Sequence, residues 1–251
     1  MGRRTGPLGP RQPPRRHTAV TPSLAPVSGA ALMEQIKLIV RRYRAEDPWT
    51  AYSANSLTKA GAGIYVQQHG VFTRHSRRAW AYVVGNCTEA EVRRFIVREN
   101  LFEEEGSEET SHYLKLVRMG EALGLSAREV HEAKPLPSTR ASLNIWETLT
   151  KDRHWIIGAA AKGAMELETT AGIEGGRWME QLGLSRESVD FWLLHHEADA
   201  VHGSGSLDLV MKYLPCVRGV DQGDILTAVE DSLFAFVLFR RGIVAAATGK
   251  A

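Results

Sequence analysis

From Ala30 onward the apolar residues recur every three or four positions almost without interruption, and no stretch alternates apolar with polar across a hairpin turn. That period leaves helices as the building unit. "ALMEQIKLIVRRYRAED" is one, ending near Pro48, and "VFTRHSRRAWAYVVGN" is another, closed by Gly85-Asn86. Thr88 and Glu91 have capping-box spacing and open "EAEVRRFIVRENLFEEE". Gly106-Ser107 marks a break or kink before "EETSHYLKLVRMGEALG". Ser126 and Glu129 cap a short segment that "KPLPS" stops. A long stretch from Arg140 to Gly172 follows, rich in Ala and Gly towards its end, where small residues let neighbouring helices come close. "SRESVDFWLLHHEADAVHG", "SLDLVMKYL" and "DILTAVEDSLFAFVLFRRGIVAA" complete the series. The expected fold is all-α: a single-domain bundle of about seven or eight helices with short connections.

With 43% hydrophobic and 24% charged residues, the chain has the composition of one sizeable core. Residues 1–28 are dense in Pro and Arg and lack large apolar side chains, so a disordered tail is expected there, with residues 29–251 forming the folded domain. The tail has no apolar h-region of a secretory signal. The 31 basic residues against 29 acidic ones leave a net charge of +2, which gives no electrostatic case for nucleic acid. No apolar run approaches the roughly 20 residues of a membrane span. The two cysteines, Cys87 and Cys216, lie far apart, which suits a reducing cytoplasm rather than a disulfide scaffold.

The densest chemistry is "HHEADAVHG", residues 195–203. On a helix His195, Asp199 and His202 stand at i, i+4 and i+7 and project along one stripe. Either they coat a wet surface or they form half of a metal site; the stripe carries no Lys or Arg of the kind a solvated face mixes in. The glycines of the following "HGSGS" should weaken the helix end there. A second patch is "NLFEEEGSEETSHYL": Glu105 and His112 are seven apart and share a stripe if the helix continues through Gly106. A third is "GAMELETT", where Glu166 and Glu168 lie about 200° apart on the helical wheel, so at most one faces the interior. A buried carboxylate needs a charge partner or a metal. Three carboxylates and three imidazoles from separate helices match the inward-facing sets that hold dinuclear iron or manganese in helical bundles. Mixed N/O ligation suits Fe(II).

These residues, from "NLFEEEG" through His112 and an acidic position in the Ala/Gly-rich helix to H-x-x-x-D-x-x-H, resemble the heme-oxygenase-like diiron oxidases and oxygenases, over about His69 to Leu238. The bundle is shared with TenA-like and PqqC-like proteins, which lack this ligand set. The resemblance implies Glu105, His112, Glu166, His195, Asp199 and His202 as ligands to two Fe(II) per chain, with Glu104 and Glu168 as neighbours competing for two of the places. It further implies O2 as co-substrate and a small substrate, an amino acid or derivative, that is desaturated, cleaved or N-oxygenated in a natural-product pathway. Homodimers are common among such bundles. The competing readings are a cofactorless TenA/PqqC-like enzyme and a non-catalytic helical interaction protein. Trp155, Phe191, Trp192, Phe234 and Phe236 are candidates for a pocket lining, Lys162 for a contact to a substrate carboxylate, and His154 for a structural role.

Overall fold

The computed structural model describes residues 28–102, 106, 111–167 and 171–250, and for residues 196–201 the backbone alone. Among the described residues there are eleven α-helices and no strand, where seven or eight helices were expected. In chain order they are α1 (Gly29–Ala45), α2 (Pro48–Asn55), α3 (Lys59–Asn86), α4 (Ala90–Phe95), α5 (His112–Ala122), α6 (Ala127–His131), α7 (Pro137–Lys151), α8 (Trp155–Glu166), α9 (Ala171–Leu182), α10 (Asp190–Tyr213) and α11 (Gln222–Thr248). The surplus comes from short helices and from breaks that periodicity does not register. The stretch read as one run from Arg140 is interrupted at residues 152–154 and again after Glu166. No helix among these residues is long and apolar enough to cross a membrane.

Local chemistry explains most helix starts. Ser28, counted with the tail from sequence, caps α1 through Ala31 N. Asp47, Thr58 and Ser111 cap α2, α3 and α5, and Pro48 and Pro137 occupy first-turn positions. The capping boxes at Ser126/Glu129 and Asp221/Asp224 close reciprocally. The one expected at Thr88 does not form. α4 starts after Glu89, and Glu91 instead accepts from Lys212 Nζ at 2.5 Å and Tyr213 Oη at 2.6 Å. That contact clamps the end of α10, whose beginning is tied by an ion pair between Asp190 and Lys115 of α5.

α8 is the spine of the bundle. Every residue from Trp155 to Met165 is buried, as expected of a helix apolar all round. It packs on α10 and α11, with α3 and α7 closing the other sides. The contact to α10 is backbone on backbone. A Cβ on Gly203 would stand 3.0 Å from Gly163 O, 3.0 Å from Leu167 N and 3.1 Å from the Glu166 carbonyl carbon. A Cβ on Gly205 would meet the Phe95 ring at 2.4 Å. These glycines do not weaken a helix end, because α10 runs unbroken to Tyr213. The missing side chain of Gly203 lets α8 and α10 touch, and that of Gly205 makes room for the Phe95 ring of α4. Gly203→Ala is therefore expected to cost about 1–3 kcal/mol, because backbone atoms cannot step aside as a flexible side chain can. At this chain size that lowers Tm by roughly 2–6 °C. Gly176→Ala, where an added Cβ meets nothing within 4 Å, should be neutral or mildly stabilising in the same thermal melt. Equal melting of the two variants would refute the packing argument.

Candidate functional site

Three helices carry the described ligand-type side chains: α5, α8 and α10. His112 is the first residue of α5, directly after the Ser111 cap. Gly106, in the left-handed region at φ 55°, breaks the chain before it, so the shared-stripe argument for Glu105 and His112 does not apply. The His112 ring faces that of His195 on α10, with centroids 4.6 Å apart. His202, two turns further along α10, is 4% exposed and near enough for its charge to act on His112. The stripe therefore turns inward at both of its described ends.

The protonation state of His112 is the one a metal ligand needs. Burial, then the neighbouring His195 and His202, depress the His112 pKa to about 3, so this imidazole is neutral at pH 7. His195 Nδ1 lies 2.7 Å from the Phe191 carbonyl oxygen. A carbonyl only accepts, so Nδ1 carries a proton and Nε2 is the nitrogen left to face a ligand. Such a backbone hydrogen bond is how metal-binding histidines are held in one tautomer.

Glu166 is the last residue of α8, not a mid-helix position, since Leu167 turns into extended backbone. The wheel comparison with Glu168 therefore fails at Leu167. A carboxylate at a helix C-terminus is electrostatically disfavoured. Lys162, one turn earlier and 2% exposed, compensates: its Nζ stands 3.8 Å from Glu166 Oε1 and donates to Ser76 Oγ at 2.6 Å, beside the Phe72 and Trp80 rings. Asn100 Nδ2 approaches Glu166 Oε2 at 3.5 Å from a π-helical turn, Ile96–Leu101, a distortion often found at functional sites. Asn100 is fully buried, and its Oδ1 has no hydrogen-bond partner.

Among the described residues no three ligand-type side chains already converge on one point. Glu105, its rival Glu104 and Glu168 lie outside the described residues, as does the Asp199 side chain. The four that are described have donor chemistry that fits iron: a carboxylate and three imidazoles, at least one held neutral and one fixed in tautomer. The orphaned Asn100 Oδ1 beside Glu166 adds an unused acceptor to the same wall.

Glu166 and His195 also line a cavity of about 70 Å³, whose other walls include Tyr65, His69, Phe72, Phe191, Trp192, Phe236, Arg44 and Arg240. Of the aromatics singled out in the sequence, Phe191, Trp192 and Phe236 reach it. Trp155 belongs to a separate apolar cluster and Phe234 is 49% exposed. His154 has the structural role expected of it, accepting from Ile156 N at the start of α8. Sequence reasoning missed Asn100, His69, Arg44 and Arg240 altogether. The one available signal for Lys162 was a lone cation inside "IIGAAAKGAME".

Residues 64–236 match the family model described as iron-containing redox enzyme. Among solved structures, a Shewanella denitrificans domain of unknown function with a heme oxygenase-like fold superposes with TM-score 0.73 at 17% identity, covering 90% of this chain and 97% of that one. A CADD-like protein of unknown function from Nostoc punctiforme gives TM-score 0.68 at 19% identity, covering 87% and 98%. A TenA homologue from Pseudomonas syringae gives 0.65 at 15%, covering 86% and 91%. No curated protein matches the sequence significantly. The bundle, its inward imidazoles and the family match agree: the chain belongs to the iron-containing redox enzyme family and has the heme-oxygenase-like fold.

Proposed function

We propose that the protein is a non-haem diiron oxidase or oxygenase. In this reading it uses O2 to desaturate, cleave or N-oxygenate a small amino acid or derivative, in a natural-product pathway. His112, Glu166, His195 and His202, with Glu105 and Asp199, would hold two Fe(II) per chain. The observation that carries the reading is the neutral His112 facing a tautomer-fixed His195 at one end of a cavity that Glu166 also lines. Bound iron would supply the electrons that reduce O2.

The protein's own contribution is preorganisation. The Phe191 carbonyl holds the Nδ1 proton of His195 and so fixes which nitrogen faces inward. Lys162 and Asn100 restrain the Glu166 carboxylate and balance its charge. Phe72, Phe191, Trp192 and Phe236 give the cavity an aromatic lining.

Anaerobic reconstitution with Fe(II) followed by rapid mixing with O2 tests the proposal. Close to two iron atoms per chain, O2 consumption and a transient visible absorption band are expected, and the band should decay faster with a true substrate present. Iron below about 0.2 per chain after reconstitution, with O2 untouched, would shift the assignment to a cofactorless enzyme of the same bundle.

A further inference from the structure

Tyr65 Oη, His69 Nδ1, Trp192 Nε1 and Arg240 Nε are buried polar atoms, on residues that line the cavity, with no hydrogen-bond partner. Their residues are 0%, 9%, 3% and 5% exposed, so water outside the protein does not serve them. Leaving such a group unpaired is costly, and a bound ligand in the cavity would relieve that cost. Arg240 spends Nη1 on Asp47, which leaves Nε–H unused. Tyr65 stands beside that guanidinium and interacts with it, but its Oη makes no well-aligned hydrogen bond. Burial raises its phenol pKa, so the hydroxyl remains a donor. Arg44 lines the same cavity, and the two guanidinium carbons lie 4.8 Å and 4.3 Å from the Phe236 ring centroid.

The cavity thus has N–H and O–H donors from Arg240 and Tyr65 on a wall that Glu166 and His195 also line, and Arg44 donates to the Met165 and Leu167 carbonyls that flank Glu166. Its volume of about 70 Å³ has room for five or six water-sized groups. We infer that the cavity is a carboxylate subsite, in which Arg240 Nε and Tyr65 Oη, with His69 Nδ1, take the anionic end of a compact substrate and aim its remainder at Glu166 and His195. The assignment deepens the oxidase reading and rests on it for the direction in which the substrate points. Aromatic walls then select a short carbon chain, and a charge-assisted pair of hydrogen bonds selects a carboxylate over a neutral amide.

The test is calorimetric titration of chelator-treated protein with butyrate and with butyramide, its neutral isostere. Butyrate should bind at least tenfold more tightly. Tyr65→Phe removes a hydroxyl with no well-aligned hydrogen bond in the free protein, so it should fold normally, melt close to the parent and bind butyrate about five- to tenfold more weakly. Arg240→Lys, which retains the charge opposite Asp47, should weaken butyrate at least tenfold. Equal affinity for butyrate and butyramide, or a Tyr65→Phe protein that binds butyrate unchanged, overturns the subsite. Iron content is measured on separate aliquots. A chain that loads two irons yet ignores butyrate sinks this inference alone. One that binds butyrate selectively but takes up no iron upholds the anion site and sinks the oxidase.

Discussion

His195→Ala is expected to abolish stable iron loading, lowering metal affinity by at least about 100-fold and retained iron to below a tenth of the parent after desalting. Loss of a mere supporting hydrogen bond around a metal ligand already costs 10–100-fold. Here the change removes the imidazole itself and frees the Phe191 carbonyl that fixed it. O2 consumption should fall with the iron. His154→Ser is the matched control: that histidine caps α8 at the surface, and serine is a good cap, so iron content should not change. Metal analysis after reconstitution decides the matter. If His195→Ala binds as much iron as the parent, the site has been placed on the wrong residues.

Metal-free protein is expected to be acid-labile well above the range where carboxylates titrate. His112 has a folded-state pKa of about 3 against an ordinary 6.5, because burial and two neighbouring imidazoles disfavour its cation. The unfolded chain binds that proton more readily, so the stability contributed by neutral His112 is complete above pH 6.5 and is lost as pH falls towards 3. The loss amounts to about 2 kcal/mol at pH 5 and between 4 and 5 kcal/mol at the lower limit. Burial lowers the pKa values of His69 and His75 as well, so both add to the slope in the same direction. Urea denaturation of chelator-treated protein at pH 7.5 and pH 5 measures the effect. His112→Gln should flatten the difference, and an unchanged slope in that variant would show that His112 is not the group responsible.

Helical class and most helix positions were legible because they depend on neighbours three and four residues away. His195 and His202 belong to the same category: one helix supplies both, and their spacing alone places them on a common side. Glu166 was singled out by residue type but misplaced on its helix, since no Pro or Gly in the sequence marks the end of the helix there. The failed cap at Thr88 has a similar cause. Glu91 is occupied by Lys212 and Tyr213, 121 and 122 positions further along the chain. Arg240 was invisible for the strongest version of this reason, because its buried partner Asp47 lies 193 residues away. Sequence patterns report faces of helices. They do not report which cation a fold will enclose, and Arg240 on the cavity wall is of that kind.

The π-helical turn at Ile96–Leu101 acts as a rotary adjustment on the amide of Asn100. Its backbone bonds span five residues where an α-helix spans four, so the coil is locally wider. Deleting one residue there would restore ordinary winding and swing Asn100 by about 100° around the axis, away from the Glu166 carboxylate. Reach across to that carboxylate is thus set by how many residues the coil holds as much as by which residue sits at its inner edge.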